Sequence, residues 1–164
     1  MAGRLRGFLL EDPIGNLLRN RFLIDREKLE HLTEELFPRS KVRKIEGEEL
    51  PGEAQMPYLV YWSADWCVWC PVFTPTFFGL APFFKKAPLY FCEKESLRRL
   101  TIIEFVPQIT AHFPGGVLVR STCGNTTGEF WERLNLLLSL GVHQRSGDFT
   151  LYSSTDENQL IPTR

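Results

Sequence analysis

No stretch of this sequence is apolar for the roughly 20 residues that a membrane-spanning helix needs. Near the start, basic residues precede a short apolar segment, but Glu11 and Asp12 end it. That leaves about four apolar residues, fewer than the roughly 7–15 of a secretory signal. We therefore expect a protein with no membrane span that acts in the cytoplasm.

The sequence also has no excess of charge of one sign. Its 19 Lys and Arg residues against 20 Asp and Glu residues give a formal net charge of -1. A nucleic-acid-binding surface usually shows as a basic excess or a basic run. We expect no nucleic-acid partner.

Cysteine and histidine are scarce, with four and three copies. Two cysteines form the close pair Cys67-Val68-Trp69-Cys70, whereas Cys92 and Cys123 are isolated. Such a pair can be half of a zinc site, a redox dithiol or an accident of composition. Zinc needs two further ligands at compatible spacing, and the remaining cysteines and histidines offer no close pair. We expect no metal, no bound cofactor and a redox dithiol in a reducing compartment.

The sequence contains enough apolar residues for the core of one globular domain. The 164 residues are 43% hydrophobic and include 13 Phe and four Trp, which suffice to fill one core. The patterns divide the chain into a helical N-terminal extension over residues 1–38, an α/β domain over residues 39–142 and a polar C-terminal tail over residues 143–164. The extension holds an amphipathic helix that begins after Asp25 and is expected to stop at Pro38.

From residue 41 the order is strand, turn-rich stretch, strand, helix, strand, helix, strand, strand, helix. This order predicts an α/β fold in which helices cover both faces of a sheet. We expect the strands at residues 41–45, 57–62, 89–92, 108–113 and 117–121, and the helices at residues 70–84, 95–105 and 127–140. Thr126 and Glu129 fit a capping box before the last helix, and Gly141 fits its C-terminal cap.

The cysteine pair falls where a buried strand ends and a helix begins. Free backbone N–H groups and the positive end of the helix dipole stabilise a thiolate at such a place. Cys67 is the nearer to the open turn, and we expect it to be the exposed sulfur of low pKa. Cys70 lies one turn inside, and we expect it to be more buried and to resolve mixed disulfides.

Several separated segments resemble the thioredoxin-like family. Residues 58–67 resemble the strand that leads into the family's active site, Pro75 matches its helix-kinking proline, and Phe105-Val106-Pro107 resembles the segment that ends in its cis proline. The match covers roughly residues 40–141. It implies a thioredoxin-like fold, a central mixed β-sheet flanked by helices, with the N-terminal helical extension added to it.

The resemblance also implies a function, that of a thiol–disulfide oxidoreductase acting on protein disulfides. Cys67 and Cys70 would be catalytic, and Trp66, Val106 and Pro107 would bind the substrate. The partners would be protein disulfide substrates and a reducing partner. The alternative is a non-catalytic, thioredoxin-like protein-binding module in which the dithiol is vestigial or structural.

The chain departs from the family at two places near the dithiol. Val68 and Trp69 separate the cysteines where thioredoxin has Gly-Pro. Tyr61 stands where the family has a buried Asp that exchanges a proton with the resolving sulfur. Asp65 and Glu93 are the carboxylates that could serve instead.

Overall fold

The computed structural model of this chain describes residues 7–19, 25–46, 50–94, 105–145 and 159–162, and it shows a mixed α/β fold. Residues 7–10 are helical. In chain order the further elements are α1 (Pro13–Arg19), α2 (Arg26–Ser40), β1 (Arg43–Lys44), a short 3-10 helix (Glu53–Gln55), β2 (Tyr58–Ala64), α3 (Cys70–Leu80), a second 3-10 helix (Ala81–Phe83), β3 (Leu89–Lys94), β4 (Gln108–Phe113), β5 (Val117–Thr122), α4 (Thr127–Arg145) and β6 (Gln159–Pro162).

The six strands of the described ranges form one mixed sheet in the order β1-β3-β2-β4-β5-β6. The pairs β1–β3 and β2–β3 are parallel, whereas β2–β4, β4–β5 and β5–β6 are antiparallel. All seven residues of β2 are buried, which accounts for its almost continuously apolar sequence. The predicted mixed central sheet is confirmed. The strand β6 lies in the polar C-terminal tail; the strand-like piece expected there, at residues 149–152, lies outside the described residues.

Each of the helices α1 to α4 contributes to one apolar core on one face of the sheet. This core contains Tyr61 and Phe91 from the strands, Ile14 from α1, Phe77 from α3 and Phe130 from α4, all buried. The alternate strand residues form a second, smaller cluster on the other face: Ile45, Tyr58, Val60, Trp62, Tyr90 and Cys92. Of the helix expected over residues 95–105, all but the last residue lies outside the described residues.

The helix α2 begins as the sequence predicts and ends later. The Asp25 side chain accepts a hydrogen bond of 3.1 Å from the backbone N–H of Lys28, which confirms the cap. The helix passes Pro38 and ends at Ser40, so the expected stop at the proline is wrong. A proline removes its own N–H from the ladder, and its ring crowds the carbonyl four residues earlier. Because Pro38 lies two residues before the end of α2, this disturbs only the last turns of the helix.

The helix α4 also starts where expected and runs past its expected end. The backbone N–H of Glu129 donates to Thr126 Oγ1 at 3.0 Å, which confirms the N-terminal cap. The helix then continues through Gly141 to Arg145, so the prediction of a glycine cap is wrong. A glycine inside a helix costs only about 0.5–1 kcal/mol relative to alanine, which the buried face of a long helix can offset.

The hairpin between β4 and β5 forms as predicted. Gly115 and Gly116 have φ angles of 84° and 76°, which a residue with a side chain rarely adopts. This turn places Gln108, the first residue of β4, opposite Thr122 at the end of β5. The register of the hairpin therefore follows from the two glycines.

The N-terminal segment is bonded directly to the start of α4. Asp12 Oδ1 accepts a hydrogen bond of 2.7 Å from the backbone N–H of Thr127 and one of 3.1 Å from that of Gly15. Burial alone would raise the pKa of the Asp12 carboxyl, but the two backbone donors and the charge of Arg19 outweigh it and lower the pKa. Asp12 therefore joins two helices that are far apart in the sequence.

We expect Asp12→Ala to lower the free energy of unfolding by about 1–2 kcal/mol, because two backbone donors lose a charged acceptor. Urea unfolding followed by circular dichroism measures this change. The matched control is Asp25→Ala, which removes an exposed cap within a single helix. A loss in the control as large as that in Asp12→Ala would contradict the role of Asp12 as a link.

On the second face of the sheet, three buried polar side chains form a chain of hydrogen bonds. Trp62 Nε1–H donates to Thr110 Oγ1 at 2.8 Å, and this oxygen lies 2.8 Å from His112 Nε2. Thr110 accepts from Trp62, and its own hydrogen is available to an unprotonated Nε2 of His112. Burial lowers the pKa of His112 to about 4.

Stability should therefore decrease as the pH falls from about 6.5 towards 4, because in that window the unfolded chain binds a proton at residue 112 that the folded chain does not. The full stabilisation is present above the unfolded pKa, and the loss amounts to about 3 kcal/mol at most. Urea unfolding over this pH range measures it. His112→Gln should flatten the slope, whereas the exposed His31→Gln should leave it unchanged; equal slopes in the two variants would contradict the prediction.

Candidate functional site

The two cysteines of the close pair are joined in a disulfide at the junction of β2 and α3. The strand ends at Ala64, a turn follows, and the helix begins with Cys70 itself. The Cα atoms of Cys67 and Cys70 are 5.4 Å apart, within the ordinary range for a disulfide. The predicted location of the dithiol, at a helix start after a buried strand, is confirmed.

A backbone donor of α3 points at the first sulfur. The N–H of Cys70 donates to Cys67 Sγ at 3.1 Å. Because the first N–H groups of a helix have no partner within it, this bond supplies one that the helix cannot. The same bond would strengthen if Cys67 were a thiolate, and the helix dipole acts in the same direction. The junction therefore favours negative charge on Cys67.

Both sulfurs are buried, which corrects one expectation. Cys67 is 6% exposed and Cys70 is 3% exposed, so the prediction of an exposed Cys67 is wrong for this disulfide form. Ala64 packs with the two cysteines, and partly buried Trp69 and Val106 pack against them. The exposed side chains are those beside the sulfurs in sequence, Trp66 at 53% and Val68 at 60%.

The segment at residues 105–107 reaches the dithiol from a distant part of the sequence. Val106 packs against the cluster of Ala64, Cys67 and Cys70. The Val106–Pro107 peptide bond is cis, as expected, and both residues are partly buried. The structure therefore brings Val106 into contact with the disulfide, holds Pro107 next to it and leaves Trp66 exposed on the adjoining turn.

A cavity of about 450 Å³ borders the second sulfur. Cys70, Pro71 and Thr74 of α3 line it on one side, and Ser63 on another. Its charged lining residues are Glu30, Glu34, Lys44, Asp65 and Glu93. The helix α2 forms a wall of this cavity, a contact that was not predicted from the sequence. The signal was the spacing of Glu30, Thr33, Glu34 and Phe37, which puts them on one helix face.

A chain of hydroxyl groups joins β2 to α3 beside this cavity. Tyr61 is fully buried and stacks on Phe77 with ring centroids 4.8 Å apart. Its hydroxyl lies 3.0 Å from Thr74 Oγ1, and Thr74 donates to Ser63 Oγ at 3.3 Å. Burial raises the pKa of Tyr61 well above its ordinary value. Tyr61 therefore remains a neutral phenol at neutral pH.

The other two cysteines are buried and lie outside this disulfide. Cys92 belongs to the smaller apolar cluster, and burial raises the pKa of the Cys123 thiol. Over the described ranges, no three His, Cys, Asp or Glu side chains are grouped as a metal site would require. Nor is any helix in this part of the chain long and apolar enough to cross a membrane.

Comparisons with protein-family models, curated proteins and solved structures give no match to this chain.

After reduction, iodoacetamide should modify Cys67 before the other cysteines of the folded protein. The reason is the backbone donor at its sulfur, which increases the thiolate fraction at neutral pH. Peptide mapping by mass spectrometry after timed quenching measures each site. Cys92 and Cys123 should react only once denaturant is added. Modification of Cys123 as fast as that of Cys67 would contradict the prediction. The control is Cys67→Ser, in which the earliest modification should be absent.

Proposed function

We propose that this chain is a thioredoxin-like thiol–disulfide oxidoreductase that acts on protein disulfides through Cys67 and Cys70. The observation that carries the proposal is the hydrogen bond from the first N–H of α3 to Cys67 Sγ. It gives the two sulfurs of one disulfide unequal surroundings. An asymmetric dithiol suits a reaction in which one sulfur attacks and the other resolves.

Three further features support a thioredoxin-like fold. The dithiol follows a buried strand of a mixed sheet and begins a helix. A cis proline, Pro107, lies next to a residue that packs on the disulfide. The resemblance in sequence covers the same elements in the same order. Each feature concerns a different segment of the chain.

In the proposed reaction the Cys67 thiolate attacks a substrate disulfide. A bond forms between Cys67 and one substrate sulfur, and the other substrate sulfur leaves as a thiolate. The Cys70 thiolate then attacks Cys67, which releases the first substrate sulfur and closes the Cys67–Cys70 disulfide. Two electrons pass to the substrate, and a reducing partner returns them to the dithiol. The reaction uses no bound cofactor.

The substrate would bind across the exposed apolar surface at the dithiol. Trp66 and Val68 supply exposed apolar area on one side of the disulfide. Val106 and Pro107 supply the other side, where the backbone before β4 can hold an extended substrate segment beside Cys67. We place this activity in the cytoplasm, because one close cysteine pair and two isolated cysteines fit a reducing compartment better than a disulfide scaffold.

A non-catalytic binding module is the second candidate, and the burial of both sulfurs favours it. A disulfide covered by Ala64, Trp69 and Val106 could simply brace the turn between β2 and α3. The exposed Trp66 and Val68 would then serve only to bind a partner. The two candidates differ in whether a substrate disulfide ever bonds to Cys67.

The Cys70→Ser variant distinguishes the two candidates. It keeps the attacking sulfur and removes the resolving one, so mixed disulfides through Cys67 should accumulate on reduced protein given insulin as substrate. Non-reducing electrophoresis and mass spectrometry detect the adduct. The wild-type protein should also reduce insulin with dithiothreitol as the electron donor.

Cys67→Ser is the matched control and should trap nothing, because it lacks the sulfur that accepts the backbone N–H and keeps only Cys70, the less exposed of the two cysteines. If neither variant forms an adduct and the wild type does not reduce insulin, the binding module is the correct function. An adduct confined to Cys67→Ser would reverse the roles assigned to the two sulfurs.

A further inference from the structure

The cavity that borders Cys70 has no part in the proposed exchange of sulfurs. Its volume is about 450 Å³, within the range of small-ligand pockets, roughly 300–1,000 Å³. Lys44 of β1, Ala64 of β2 and Glu93 of β3 line it, and each lies at the carboxyl end of its strand. These three strands are parallel, and α/β sheets bind their ligands outside the carboxyl ends of such strands. The cavity is therefore placed to hold a part of the substrate while the substrate's sulfur reacts with Cys67.

The inner lining of this cavity is aromatic. It consists of Phe37 of α2, Phe78 of α3 and Phe91 of β3, of which the last two are buried and the first is partly buried. Their rings pack on one another, with centroids 5.0 Å apart for Phe37 and Phe78 and 5.2 Å apart for Phe78 and Phe91. Aromatic rings pack well against an aliphatic chain, and their faces attract a cation. This lining suits a side chain with an apolar stem and a cationic head.

The exposed lining of the same cavity carries an excess of negative charge. Its charged side chains are all exposed: Glu30, Glu34, Lys44, Asp65 and Glu93. Four carboxylates and one ammonium group leave three negative charges in excess, so Lys44 offsets only one carboxylate. A cleft lined by one sign of charge attracts the opposite charge and repels its own. Both parts of the lining therefore favour a cation.

We propose that this cavity binds a lysine or arginine side chain of the protein substrate, close in sequence to the cysteine that reacts with Cys67. This proposal rests on the proposed function and gives it a substrate class, namely disulfides with a basic residue beside them. The Cα atoms of Cys67 and Cys70 are 5.4 Å apart, and an extended chain advances about 3.3–3.6 Å per residue. A basic residue within about three positions of the substrate cysteine therefore reaches the cavity.

The first test measures binding and needs no thiol chemistry. The probes are short peptides in which serine replaces the reactive cysteine and arginine stands close to it. In matched peptides, citrulline or glutamate replaces arginine; citrulline keeps the shape of arginine without its charge. NMR titration of the nitrogen-15-labelled oxidised protein, followed at the amide signals of α2 and α3, gives each Kd. The arginine peptide should bind about three- to tenfold more tightly than the citrulline peptide, and the glutamate peptide most weakly.

Combining Glu30→Gln with Glu34→Gln should remove most of this preference, because the cavity then loses two of its carboxylates. The matched control combines Glu27→Gln with Glu132→Gln, which changes the net charge equally at two exposed residues that do not line the cavity. The control should keep the preference for arginine. A preference that falls equally in both double variants would reflect net charge alone and would overturn the proposal. Glu93→Gln repeats the test from another element if the first double variant fails to fold.

The second test connects the cavity to the reaction. Each peptide now contains its cysteine, as a mixed disulfide with thionitrobenzoate. The Cys67 thiolate of the reduced protein bonds to the peptide sulfur, and the electron pair of the broken S–S bond leaves with thionitrobenzoate, whose absorbance is recorded. The Cys70 thiolate then attacks Cys67 and releases the peptide as a thiolate. At low salt the arginine peptide should react about three- to tenfold faster than the citrulline peptide, and this difference should shrink at 1 M salt, where charges are screened beyond about 3 Å.

The two tests separate a failure of this proposal from a failure of the proposed function. Equal Kd values for the arginine and citrulline peptides, or tighter binding of the glutamate peptide, overturn the proposal even if thionitrobenzoate is released. A preference for arginine in binding without a preference in rate overturns the placement of the basic residue beside the reacting cysteine. A preference for arginine in binding, with no thionitrobenzoate released from any peptide, supports the cavity as a site for a basic side chain and contradicts the oxidoreductase function.

Discussion

The hydrogen bond from the N–H of Cys70 to the sulfur of Cys67 depends on where β2 ends and α3 begins. The strand is buried along its whole length, so the sheet holds its last residue rigidly. The helix begins at Cys70, which leaves that N–H without a helical acceptor. Shifting either element by one residue would direct a different N–H or a different side chain at the sulfur. The chemistry of the site is thus a consequence of the packing of two elements.

The parts of the site that were predictable from the sequence are those that local sequence patterns determine. The apolar run of residues 58–62, the cysteine spacing and the helical pattern after Cys70 are local signals, and each produced the expected element. The cis bond at Pro107 was predictable only through the resemblance to a family. The burial of Cys67 was not, because Val106 covers it from another segment and local patterns do not report such contacts.

Departures in the helices have a similar origin. Pro38 and Gly141 are residues that usually end helices, yet α2 and α4 continue beyond them. Their apolar faces pack on the main core, and this packing outweighs the local preference against proline and glycine inside a helix. The wall that α2 adds to the cavity beside Cys70 was unpredictable for the same reason. Helix packing decides which face of α2 meets the site, and the sequence of α2 alone shows only that it has an apolar face.

The pairing of β6 with β5 decides which strands are the edge strands of the sheet. One edge strand is β1, which has only two residues. The other edge strand is β6, which ends in a proline and so lacks a backbone N–H at its last residue. Unpaired strands of other molecules add most readily to long, regular edge strands. Without β6, the six-residue strand β5 would be such an edge strand. The last strand thus protects the sheet against self-association at the side opposite β1.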